Sequence, residues 1–453
     1  MRLVSVVLIA SLSVVSAQPA KSPVHKNGFI AKMPEIQTDQ LANGLRIAFL
    51  KLDAAPVVAV QVWYHAGSKD EPRDRRGSAH MFEHMMFKGT EHVRSEAHAQ
   101  MINNVGGYVN AQTDEDATHF IDTMPASYLD FAVQLEAERM RHLLFRKTMV
   151  DGERQVVEEE IRRNDNVPAL KGFLRFLEIA YKAHPYAWTA GGTIKDLDAT
   201  TPADLKKFYD TYYVPNNAML VVVGNTTLDK VKAAADKYFG PIAKGAEIAR
   251  KLPVEPAQTA KRKETVEAGQ VGITFVGWHI PMAKDHDVYA LQVAAIVLGS
   301  GESARLKLRL KSTDPKTKHP LALEAGMEAV VREDPGMVIG LGAYLDPAQA
   351  DPVEAAIFDE VTKLGAGGPP TNVELRKAKN QVQSGFVFSL EHAQGLAEAI
   401  GRSWILTGEP TKFLGDVDEI EAVTAADVQR VVKKYLTPDK ATVVVIPPPV
   451  RGK

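Results

Sequence analysis

Apolar positions along this chain follow two periods. Residues 45–50 and 57–64 are short, nearly continuous apolar runs and read as strands. Residues 127–142, 149–165 and 170–183 place apolar side chains every three or four positions, which predicts amphipathic helices. Strand-like runs return at 272–278 and 337–344. Strands and helices do not alternate strictly, so the pattern predicts an α+β fold with mainly antiparallel sheets packed with helices, not a parallel sheet.

The pattern also repeats. Thr201-Pro202-Ala203-Asp204-Leu205 opens a helical stretch that ends near Tyr212, followed by Pro215 and an apolar run at 218–223. Thr424-Ala425-Ala426-Asp427-Val428 does the same, ending near Tyr435, with Pro438 and the run 441–446, at a constant offset of 223 residues. A capped helix, a proline turn and a strand that recur in phase are the mark of a duplicated unit. Two homologous domains are therefore expected, at 28–240 and 263–453. The junction between them holds Pro241, Pro253 and Pro256 and has little periodicity, as a linker does. Gly299-Ser300-Gly301-Glu302-Ser303 has no lysine in phosphate-loop register and reads as a turn that opens a helix.

Composition narrows the class. Of the 453 residues, 45% are hydrophobic and 24% charged, with net charge −2, which suits a soluble globular chain. No basic stripe or acidic tail suggests nucleic acid or a charged membrane surface as partner. Cysteine is absent, which excludes disulfides, thiol catalysis and thiolate metal sites. Residues 3–15 are almost wholly apolar behind Arg2 and lead to Val15-Ser16-Ala17, so residues 1–17 read as a secretory signal peptide and predict a secreted or periplasmic protein. That run is short for a membrane span, an uncleaved anchor being the alternative reading, and no later run is long enough to span.

The chemistry concentrates at His80-Met81-Phe82-Glu83-His84. Ser78 before it and Gly89 after it predict a short helix of about three turns, capped by Ser78. Histidines four apart share one helix face, and two neutral imidazoles so placed can hold one zinc ion. Glu83 then lies beside the metal, where a general base for an attacking water belongs. With 13 histidines in the chain, chance gives on the order of 0.03 such H-x-x-E-H matches. A catalytic zinc needs a third protein ligand, and a carboxylate from another helix is the natural candidate. Residues 151–163 supply one: Val156, Val157 and Ile161 predict a buried face, and Glu153 and Glu160, seven apart, share a stripe from which Glu158 and Glu159 point away into solvent.

Together these features resemble the pitrilysin (insulinase) family of zinc peptidases, in its half-length branch that includes the mitochondrial processing peptidase β subunit and bacterial homologues. The spacing of 75 residues between His84 and Glu160 matches that family's pattern. The resemblance implies that His80, His84 and Glu160 are zinc ligands, that Glu83 is the base, and that Glu153 steadies the ligands. Val62-Trp63-Tyr64-His65-Ala66-Gly67 resembles the strand before the family's zinc helix. Gly106-Gly107-Tyr108-Val109-Asn110-Ala111-Gln112-Thr113 resembles its substrate-binding edge strand, with Asn110 and Ala111 as peptide contacts. Two related α+β domains would form half of a clamshell, with zinc only in the first. The second-half counterparts fit that expectation: Gly299 aligns with Gly89, placing Ala290, Val293 and Ala294 at the motif positions, and Gln381 stands where Glu160 does.

One departure stands out. Complete family members carry an Arg and a Tyr after a Ser-Arg-Leu helix, where they stabilise the oxyanion. Here Ser303-Ala304-Arg305-Leu306 is followed by residues 314–326 without either, unless Lys318 or His319 substitutes. The resemblance thus implies a zinc endopeptidase that works with a homologous partner subunit, or as a homodimer. The competing readings are a non-catalytic assembly subunit and a secreted binding protein that keeps zinc for stability.

Overall fold

The computed structural model describes residues 35–313 and 319–449. The expected signal peptide lies outside them. Among the described residues, no helix is long and apolar enough to cross a membrane.

Among the described residues, eleven strands form two sheets. In the first half these are β1 (Gln37–Gln40), β2 (Arg46–Lys51), β3 (Val57–Tyr64), β4 (Tyr108–Thr113), β5 (Thr118–Pro125) and β6 (Ala218–Gly224), in the order β1-β2-β6-β3-β5-β4. The second half contributes β7 (Arg262–Thr265), β8 (Gly272–His279), β9 (Glu324–Val330), β10 (Met337–Tyr344) and β11 (Ala441–Ile446), in the order β7-β11-β8-β10-β9. Apart from β1 the two orders are the same, and so are the strand directions. Each sheet has one parallel pair, β2 with β6 and β7 with β11, and is otherwise antiparallel. The sheets are thus mainly antiparallel, as expected, and each parallel pair joins strands far apart in sequence, which periodicity does not reveal.

The repeat extends to hydrogen bonds. Thr201 caps helix Pro202–Tyr212 by accepting from the Asp204 amide at 3.2 Å, while the Asp204 carboxylate accepts from the Thr201 amide at 2.9 Å. Thr424 and Asp427 make the same reciprocal pair at 3.2 and 3.0 Å in front of helix Ala425–Tyr435. Each helix delivers the chain through a Pro turn into an interior strand of its sheet, β6 or β11. There Ala218 faces Tyr64 and Ala441 faces Trp278.

Each sheet packs its own helices on one face and a helix from the other half on the opposite face. Helix Pro168–Ala180, from the first half, seats Phe176 and Leu177 against Ile273, Phe275, Leu341 and Val444 of the second sheet. Helix Ala393–Thr407, from the second half, seats Leu396, Ala397 and Ile400 against Ala48, Ala59, Trp63 and Val221 of the first. Gly401 permits the approach: a Cβ there would stand 2.2 Å from the Trp63 indole. Residues 241–261, between the sheets, contain no regular element.

Charge closes the same junction. Lys69 is fully buried, 2.8 Å from Asp116 of the first half and ion-paired to Glu333 of the second, with Asp334 at 3.6 Å. Arg332 reaches back to Glu115. Between the halves lies a cavity of about 970 Å³.

Candidate metal centre

The motif helix spans Ser78–Met85, little over two turns and shorter than expected. Its cap also differs. Ser78 donates its hydroxyl to the Arg75 carbonyl at 2.5 Å, and the cap comes from Glu71, whose carboxylate accepts from the amides of Gly77 at 3.0 Å and Ala79 at 2.7 Å. Free amides at a helix start need acceptors, and a buried carboxylate there meets both that need and the helix dipole. Met81, Phe82 and Met85 face the core, which turns His80, Glu83 and His84 toward the cavity side.

Helix Lys147–Asp165 packs across it. Its buried stripe is Val150, Glu153, Val157 and Ile161. Val156 is 48% exposed, contrary to the sequence expectation, because adjacent helix positions are about 100° apart and only Val157 is in phase with the stripe. Glu158 is half-buried and paired with Arg162 at 2.7 Å instead of fully solvated.

His80 Nε2 and His84 Nε2 stand 3.2 Å apart, and Glu160 Oε2 lies 3.9 Å from the first and 3.7 Å from the second. Donors about 2.0–2.1 Å from a tetrahedral zinc are roughly 3.4 Å from one another, so three atoms at these separations fit one such ion. The donor chemistry fits as well. Two imidazole lone pairs facing each other at 3.2 Å repel unless a cation or proton lies between them. Burial and the neighbouring His84 hold His80 below its ordinary pKa, in the neutral form that binds metal.

Glu153 does not point at the three donors. Its Oε1 takes the His84 Nδ1 proton at 2.9 Å and its Oε2 receives Lys88 Nζ at 2.8 Å. This fixes the His84 tautomer with Nε2 toward the site, as ligand histidines require. Burial would raise the Glu153 carboxyl, but His84 and Lys88 outweigh it and hold it below the usual range. His84 is pulled the other way: burial lowers it, and Glu153, with Glu83 and Glu160 nearby, lifts it above its ordinary value.

Glu83 lies beside the donors and accepts the Thr113 hydroxyl at 2.5 Å. Burial raises its carboxyl, with Thr113 and His84 pulling back, so it holds a proton more readily than a free glutamate. Thr113 ends β4, which is the sheet edge. Ala111 lines the cavity with Gln112 and Thr113, whereas Asn110 is exposed and outside the lining. Thr113, Lys88 and Glu71 are the residues that sequence reasoning missed. Only Lys88, one turn beyond His84, gave any local sign.

Two family profiles cover this arrangement. Residues 46–193 match the insulinase family, peptidase family M16, and residues 199–382 match the M16 inactive domain. The zinc protease PqqE of Helicobacter pylori is 30% identical over 423 residues, 92% of this chain and 94% of its own. The chain belongs to the M16 peptidase family. A probable mitochondrial-processing peptidase subunit beta of Arabidopsis thaliana is 25% identical over 425 residues, 90% of this chain and 77% of that one. The crystal structure of a protease from Helicobacter pylori superposes with a TM-score of 0.85 at 29% identity, covering 91% of this chain and 99% of the other. The periplasmic protease PqqL of Escherichia coli shares the fold, with a TM-score of 0.74 at 19% identity, and this chain spans 48% of its length. The M16 inactive domain falls where the second copy of the repeat replaces the motif with Ala290, Val293 and Ala294, all buried.

The segment that lacks the expected Arg and Tyr includes 314–318, which lie outside the described residues. Arg305 does not stand in for the missing arginine. Its guanidinium is bound to both Glu374 carboxylate oxygens, at 2.7 and 2.9 Å, and to the Gly368 carbonyl at 2.8 Å.

Proposed function

We propose that this chain is a zinc-dependent endopeptidase that hydrolyses peptides in the cavity between its two halves. One observation carries the reading: three donors with the separations of a zinc site converge at that cavity, with a proton-accepting carboxylate beside them. His80, His84 and Glu160 would hold the ion, and bound zinc would supply Lewis acidity toward the attacking water and the scissile carbonyl. Glu83 takes the proton that the water gives up and passes it to the departing amine. Thr113 holds one Glu83 oxygen so that the other stays free. Glu153 and Lys88 keep His84 in register. A peptide would add along the unpaired edge of β4, with Ala111 nearest the cavity and Asn110 on the outer side.

The missing Arg and Tyr support a further element of the reading: a homologous partner, or a second copy, docks on this chain and supplies the oxyanion donors. Losing such a donor costs ~10²–10³-fold in turnover. The apolar run at 3–15 supports secretion or a periplasmic location.

Glu83→Gln tests the core of the proposal. The variant should keep its zinc, measured by elemental analysis, and lose at least ~10²-fold of peptide cleavage, assayed with any partner present. Cleavage at the wild-type rate by a zinc-loaded Glu83→Gln protein would overturn it.

A further inference from the structure

A second group of metal-binding side chains lies away from the cavity, in the first half. The turn that follows the motif helix carries Glu91 and His92. The last turn of helix Leu129–Arg141 carries Glu138, and His142 caps it. The backbone ties these pieces together. Thr90 and Leu143 form an antiparallel bridge, the Glu91 amide donates to the His142 carbonyl at 2.9 Å, and Thr90 donates to Val93 at 2.8 Å. The positions of Glu91, His92 and His142 are therefore set by main-chain bonds.

One donor atom each from Glu91, His92 and His142 falls within 4.8 Å of the others. The two imidazole rings are 5.3 Å apart, nearly perpendicular, and His142 Nδ1 is 3.3 Å from Glu91 Oε2. Glu138 supplies a second, independent feature. Its carboxylate receives His92 Nδ1 at 3.0 Å, and is itself held by the Thr90 hydroxyl at 2.5 Å and the His92 amide at 3.2 Å. That bond fixes the His92 tautomer and leaves the Nε2 lone pair for a metal, as Glu153 does for His84. Two neutral imidazoles and two carboxylates leave a local charge of −2.

We propose that Glu91, His92 and His142 form a second metal site, for a zinc-like divalent transition ion with a water in the fourth position. Two nitrogen donors and one oxygen donor suit Zn²⁺, Co²⁺ or Ni²⁺ and not the all-oxygen preference of Mg²⁺ or Ca²⁺. The His92 side chain is 68% exposed, so the ion reaches the site from solvent. Bound there, the ion would staple the turn after the motif helix to the end of helix Leu129–Arg141.

The test uses the full chain carrying His80→Ala and His84→Ala, which removes the cavity donors. Equilibrium dialysis against Zn²⁺ with millimolar Mg²⁺ present should give one zinc per chain, and Co²⁺ should give the visible absorption of a four-coordinate site. Adding His92→Ala and His142→Ala should abolish both signals, and Glu138→Gln should weaken binding 10–100-fold. Circular dichroism checks that each variant is folded, and His142→Asn replaces His142→Ala if it is not. No uptake by the first double variant, or uptake that survives loss of His92 and His142, would overturn the site. Neither result bears on the peptidase reading, which rests on other residues.

Discussion

Glu328 offers a thermodynamic probe of the cavity. It lies on β9 directly opposite Ile339 and lines the cavity with Val330, Met337 and Leu341. Burial alone pushes its carboxyl from 4.5 up to about 7. The folded protein thus favours the protonated form. As pH rises from 4.5 through 7 the unfolded chain ionises first, and the native state loses stability relative to it. The gap between 4.5 and about 7, at ~1.36 kcal/mol per pH unit, sets a ceiling of ~3 kcal/mol. Glu328 is only half-buried and faces a water-accessible cavity, so screening reduces this to ~1–2 kcal/mol. Glu328→Gln does not titrate. Its stability relative to wild type should therefore rise by ~1–2 kcal/mol between pH 4.5 and pH 8, read from urea midpoints of both proteins at several pH values. A difference that stays flat across that range, or falls, would refute the reasoning.

Three further outcomes follow from the geometry. His80→Ala, His84→Ala and Glu160→Ala should each lose tightly bound zinc by elemental analysis, because two donors remain; full occupancy in Glu160→Ala would move the third ligand elsewhere. Gly401→Ala should destabilise the chain by ~1–3 kcal/mol in chemical denaturation, since its methyl would enter the Trp63 indole; a neutral effect would mean that the crossing helix can shift. Lys69→Met leaves the buried Asp116 and the half-buried Glu333 without this cation, at a cost of ~3–5 kcal/mol, and a variant as stable as wild type would remove Lys69 from the junction.

Local signals carried most of the candidate site. The His80–His84 spacing and the Glu153–Glu160 stripe are helix geometry, readable wherever the helix is. The repeat was legible for the same reason: Thr201 and Thr424 cap their helices through bonds to residues three positions away. What stayed hidden depends on contacts distant in sequence. Thr113 reaches Glu83 only because β4 forms the edge of the first sheet beside the motif helix. Glu71 caps that helix from a preceding turn, a task assigned by sequence to Ser78, whose hydroxyl turns back to Arg75. An apolar stripe says that a helix such as Pro168–Ala180 has a buried face. It does not say that the face belongs to the other half's sheet.

That exchange of helices bears on why two equivalent scaffolds carry one candidate site. Each half covers the other's sheet, so the cavity is walled by both halves, and a set of donors on one wall suffices for chemistry. The second copy of the motif helix, Asp287–Gly299, is buried on every side: Ala290, Val293 and Ala294 are all within the core, and Gly299 packs directly on the Met327 backbone. Histidines at 290 and 294 would bury two imidazoles in apolar surroundings, each at a cost of a few kcal/mol without partners. Gln381, at the position of Glu160, could give such a site only a neutral amide. The first copy meets the opposite conditions. His80, Glu83 and His84 are only half-buried; Glu153, itself held by Lys88, binds His84, and Thr113 binds Glu83. The asymmetry between the two copies, one with a candidate site and one without, thus follows from which copy of the helix borders the cavity and which lies within the core.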